Sequence, residues 1–141
     1  MYQVKTNLTT TMPSILFKTD SGTDKQVIKP KEWTYVRFAD KTKFSVPADG
    51  IYTWAVILRV EYPSVGSPNI LRGRFVRYPS TDKADETGHD DKNTYGWTSQ
   101  ALHSHWMHYF TVTKSMPVGF WVWHNGSKSI TLDGRQIKAN A

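Results

Sequence analysis

At 141 residues the chain has the length of one domain and can bury a core without help from disulfides or metals. It contains no cysteine, which excludes disulfide scaffolds, thiolate zinc sites and thiol nucleophiles. The net charge of +6 admits an anionic partner without choosing among nucleic acid, glycan and acidic protein, and an aromatic content of 13% favours strands and contact surfaces.

Met1 to Leu16 is Thr-rich and lacks a basic head followed by an apolar run, so no signal peptide is expected; residues 1–13 read as an extended arm. No apolar run approaches the length of a membrane span. Alternating runs between Gly, Pro, Asn and Asp then predict strands throughout, with almost no helical periodicity. Ser14–Lys18, Lys25–Ile28 and the run Trp33, Tyr35, Arg37 are expected as short edge strands, followed by Thr42–Val46, which Pro47 ends. Ala48-Asp49-Gly50 predicts a tight turn into the strongest strand, Ile51–Tyr62. One face of that strand, Tyr52, Trp54, Val56, Leu58, Val60 and Tyr62, must be core. The other face is apolar at Ile51, Ala55 and Ile57, so a subunit interface is expected to cover it.

Pro63–Pro68 reads as a loop, Ile70–Tyr78 as a strand with one wet side, and Pro79–Gly96 as a long exposed loop. Trp97–Thr113 resumes strand character, with Leu102, Ser104, Trp106, His108, Phe110 and Val112 on the predicted core face. After a turn at Lys114–Val118, Gly119–His124 and Ser127–Leu132 are expected as a hairpin joined by Asn125-Gly126. Asp133-Gly134 predicts one more turn before Arg135–Lys138. The pattern implies a single all-β domain over residues 1–141, a β-sandwich or a barrel.

Candidate chemistry is sparse. His103 and His105 share a strand face at a spacing that can bring two imidazoles to one metal, but no third ligand accompanies them and His108 lies on the opposite face, so no metal site is expected. Asp82, Asp85, Glu86, Asp90 and Asp91 could supply oxygens to calcium, yet their spacing matches no calcium-binding loop, and a solvated loop is expected. Ser104 is predicted to face inward, away from both neighbouring histidines, and no nucleophile–base pair, carboxylate pair or phosphate loop stands out, so the chain is not expected to be an enzyme. Arg72 and Arg74 share a face that Arg77 does not; with the other cations scattered among acids, nucleic-acid binding is not expected. Trp121 and Trp123 alternate with Phe120 and Val122, leaving both strand faces bulky. With Trp97, Tyr109, His103 and His105 they are the ligand or interface candidates, through sugar stacking or burial between subunits.

The residues Trp33-x-x-Val36-x-Phe38, Phe44-x-Val46-Pro47-Ala48-Asp49-Gly50-x-Tyr52-x-Trp54, and Tyr109-Phe110 onward to Val122-x-His124 resemble the jelly roll of complement globular heads and tumour necrosis factor-like trimers. Within that group they are most similar to the versions found in phage minor tail proteins and other virion surface proteins, and the likeness runs from about Glu32 to Lys138. The resemblance implies an antiparallel jelly roll, a homotrimer, a place in a virion with capsid or tail proteins as partners, and no cofactor. With no collagen-like or coiled-coil stalk before the domain, a capsid decoration protein or a docked minor tail component is expected. The alternative is a receptor- or glycan-binding module for attachment to a host surface.

Overall fold

A computed structural model describes residues 14–20, 22, 24–77, 94–96 and 103–141; for residues 94–96 and for His103 it describes the backbone alone. The strands among these are β1 (Ser14–Thr19), β2 (Gln26–Ile28), β3 (Thr34–Tyr35), β4 (Gly50–Glu61), β5 (Leu71–Arg77), β6 (Thr94–Gly96), β7 (His103–Val112), β8 (Val118–His124) and β9 (Ile130–Asn140). They form two antiparallel sheets. The first is five-stranded, in the order β1-β9-β4-β7 with β2 also paired to β9; the second is four-stranded, in the order β3-β8-β5-β6. The chain is thus an antiparallel jelly-roll sandwich: its alternating pattern predicts a sandwich or barrel, and the jelly roll is what the resemblance implies.

Alternation along β4 decides the packing. Tyr52, Trp54, Val56, Leu58 and Val60 are all buried and point at the second sheet, where Phe75, Phe120 and Val122 meet them. Trp54 stacks on Phe110 of the neighbouring β7, with ring centres 5.8 Å apart and planes within 6°. Phe75 meets Phe120 edge to face at 4.9 Å. Each such side chain contributes about 1.5–3 kcal/mol when buried, so this aromatic layer dominates the core. Space for it depends on Gly73: a Cβ there would stand 2.3 Å from Phe120 and 2.7 Å from the Trp106 indole.

Several sequence expectations are corrected. Asn125-Gly126 closes no hairpin, because β8 belongs to the second sheet and β9 to the first. The pair is a corner between sheets: the Asn125 carboxamide oxygen accepts the N–H groups of Asn69 and Ile70, each at 3.1 Å. Asp133-Gly134 is likewise no turn but a bulge inside β9, where Arg59 opposes Gly134 and Val60 opposes Leu132, leaving Asp133 as the extra residue. The bulge shifts the parity of the strand, so Ile130 and Leu132 before it and Ile137 and Ala139 after it all face the core. Thr42–Val46 makes a single bridge, Phe44 to Val118, instead of a strand, and the Trp33–Arg37 run shrinks to Thr34–Tyr35. Thr94–Gly96, expected as loop, pairs with Leu71–Gly73 of β5. The N-terminal arm, the acidic group Asp82 to Asp91 and Trp97 lie outside the described residues.

Candidate functional site

Among the described residues, most of the exposed large apolar side chains stand on the outward face of the first sheet. One row across it runs Leu16, Lys138, Ala55, Met107, and the next runs Ser14, Asn140, Thr53, Tyr109. Ile51 is 62% exposed, Met107 56%, Tyr109 70% and Leu16 55%, while Ala55 and Ile57 between them are half-buried. Ile51, Ala55, Ile57, Met107 and Tyr109 form an apolar stripe along β4 and β7, bordered by the exposed Lys18 and Lys138, with Leu16 of β1 on the far side of Lys138. The stripe ends at a shallow depression lined by Lys18, Ile57, Arg59 and Gln136. There Arg59 turns to Asp133, at 3.2 Å, and Asp133 is itself almost fully buried by the bulge.

Tyr109 and His105 both project from this face, and His105, exposed, sits opposite Ile57. His103 opposes Arg59 through its backbone. Among the described residues no group of three or more His, Asp or Glu side chains could hold a metal ion. Ser104 is buried on the core side, as its alternation implies, whereas His108 on that same side is only half-buried, because β7 is an edge strand.

The outward face of the second sheet is also aromatic, but the chain covers it. Trp121 lies against Tyr35, with ring centres 4.1 Å apart. The Arg72 guanidinium sits 4.8 Å over the Trp123 ring, and that of Arg74 sits 4.3 Å over Trp33. All six side chains are half-buried. Arg72 and Arg74 hold to their neighbours on this face, while Arg77 reaches the other way and donates to the Thr111 carbonyl at 3.1 Å. Trp121 and Trp123 therefore come together with Trp33, Tyr35 and the two arginines. Tyr109, His105 and His103 fall on the other sheet, and Trp97 is not among the described residues.

A third cluster was hidden from the sequence. Arg135 is buried, donates to the Asp24 and Leu132 carbonyls, and stands 3.7 Å from the Asp24 carboxylate, which Arg37 holds at 2.8 Å. Burial and the nearby Arg37 cation lower the Arg135 pKa, with Asp24 and Asp133 acting against them. The cluster fastens the segment after β1 onto β9. Its sequence signal was the parity break at Asp133, which reads equally well as a turn.

No family model matches the sequence, and no curated protein matches it. Solved structures do match. The Eiger TNF of S. frugiperda superposes with a TM-score of 0.52 at 8% identity, over 92% of this chain and 93% of that one. The fold is a tumour necrosis factor-like jelly roll. The globular domain of zebrafish complement 1qA protein matches over 90% of this chain and 94% of that one, at 11% identity and a TM-score of 0.47. Murine APRIL matches at 7% identity and a TM-score of 0.48, over 91% of this chain and 99% of the other.

Proposed function

We propose that this chain is a non-enzymatic assembly protein: a jelly roll that joins copies of itself into a homotrimer and sits on the surface of a virion, bound to capsid or tail proteins. The observation that carries the proposal is the apolar stripe of Ile51, Met107 and Tyr109, borne on a sheet whose other face packs into the core. Exposed apolar side chains gathered on regular structure, rimmed by lysines, are the surface that burial between subunits rewards, at about 25 cal/mol per Å² removed from water. Nothing in this role calls for a cofactor. The virion setting comes from the resemblance in the sequence, and the net charge of +6 suits an acidic particle surface. The test is the solution mass by light scattering. Three times the chain mass of 16.2 kDa is expected, and a monomer at working concentrations overturns the reading.

The second reading is a receptor- or glycan-binding module, which the exposed Tyr109 ring supports. On the second sheet a sugar would have to displace Arg72 from Trp123 or Tyr35 from Trp121. Titration of the tryptophan fluorescence with cell-wall glycan separates the two. A saturable shift favours the binding module, and an unchanged spectrum favours assembly.

A further inference from the structure

Three of the chain's passages between sheets meet at one end of the sandwich: residues 29–33 from β2 to β3, 62–70 from β4 to β5, and 125–129 from β8 to β9. His124, the last residue of β8, lies where they meet and has no exposed surface. Its Nε2 is 3.0 Å from the Ile28 carbonyl oxygen, and its Nδ1 is 3.1 Å from the Gly126 N–H. A carbonyl can only accept and a peptide N–H can only donate, so the ring is the neutral Nε2–H tautomer, with Nδ1 as acceptor. The backbone completes the junction. The His124 carbonyl accepts from Lys31 N–H at 2.8 Å, with Lys31 in the left-handed region at φ 62°, and Ser127 N–H donates to the Gly66 carbonyl at 3.0 Å. Gly126 is walled in, since a Cβ there would stand 2.7 Å from the Gly66 carbonyl oxygen and 3.0 Å from Pro68 N.

We propose that His124 is an acid-sensitive latch that holds these passages together while its ring is neutral and releases this end of the sandwich when the ring takes a second proton. Protonation turns Nδ1 into a donor and sets two N–H groups against each other at 3.1 Å, with Gly126 too confined to turn aside. Among the described residues no buried carboxylate stands by to receive the charge. Lys29, Lys31, Glu32 and Lys128 on these passages are exposed, Arg72 lies on the outward face of the neighbouring β5, and Tyr62 offers only a phenol. Burial lowers the His124 pKa, and the Ile28 carbonyl only partly offsets that. The sign follows. The unfolded chain binds this proton near pH 6.5 and the folded chain only below that, so the latch is fully closed above about pH 6.5. Its contribution is lost as pH falls from there to the lowered folded value.

The experiment is native-state hydrogen exchange on the intact protein between pH 8 and 5, corrected for intrinsic rates, beside urea midpoints over the same range. Opening of the junction is expected to rise by up to tenfold per pH unit in the titrating window, seen as lost protection at the Gly126 and Lys31 amides while the β4–β9 ladder stays protected. His124→Gln keeps a donor toward Ile28 and His124→Asn an acceptor toward Gly126; neither titrates, and both should flatten the urea midpoint over that window. Variant and wild-type midpoints falling in parallel overturn the proposal. If neither variant folds, exchange in the wild type decides alone: junction and ladder amides losing protection together also overturn it.

Discussion

The two outward faces of the sandwich carry similar side chains and end in opposite states. On the second sheet, Trp33, Tyr35, Trp121 and Trp123 are half-buried because Arg72, Arg74 and the rings themselves pack against one another. On the first sheet, Ile51, Met107 and Tyr109 stand more than half exposed, with small or β-branched neighbours, Thr53, Ala55 and Thr111, too short to cover them. The difference lies in what stands across the strand. A long cation opposite an indole makes a finished surface, and a threonine opposite a tyrosine leaves an open one. Abundance of aromatics alone therefore does not mark an open surface, and the bare face is the one to test.

The comparison can be broken most severely at its foundation. Gly73→Ala pushes a methyl into Phe120 and Trp106 and should cost about 3 kcal/mol, read as a lowered urea midpoint, because the second sheet can no longer close on the first. Replacing Met107 by Lys and Tyr109 by Ser attacks the bare face alone. Each lost apolar contact is worth about 1.5 kcal/mol or more per subunit, so the mass should fall to that of the monomer while the thermal midpoint of the diluted protein holds. On the covered face, Arg72→Ala with Arg74→Ala should cost about 1 kcal/mol per site and make the tryptophans more quenchable by acrylamide, without changing the mass. The smallest effect is a control on neither face. Ala39 and Asp40 form a two-residue turn with φ 47° and 69°, closed by Phe38 and Lys41, and Ala39→Gly should stabilise by about 0.5–1 kcal/mol.

The core was legible from the sequence because strand alternation leaves little choice: the residues from Tyr52 to Val60, and Trp106, Phe110 and Val112, could face only one way. The inward Ser104 and the split between Arg72, Arg74 and Arg77 followed from the same period. What alternation could not convey was where the chain changes sheet. Asn125-Gly126 carries the local chemistry of a hairpin, yet Asn69 and Ile70, far away in sequence, claim its side chain and make it a corner. Asp133-Gly134 reads as a turn because the parity breaks there, and only the opposing Arg59 and Val60 reveal a bulge. The real two-residue turn, Ala39-Asp40, has none of the usual glycine or asparagine. At the candidate site, the apolar second face of β4 was visible from Ile51 to Ile57. The cover over Trp121 and Trp123 was not, since it depends on a register between strands that sequence does not print.

The most direct test of assembly through the first sheet is oxidative footprinting of Met107, with the half-buried Met116 as internal reference. In concentrated protein Met107 should oxidise several-fold more slowly than in protein diluted below its dissociation constant, while Met116 keeps one rate. Equal rates for Met107 at both concentrations, alongside a trimeric mass, would mean that the subunits meet elsewhere and would contradict the account.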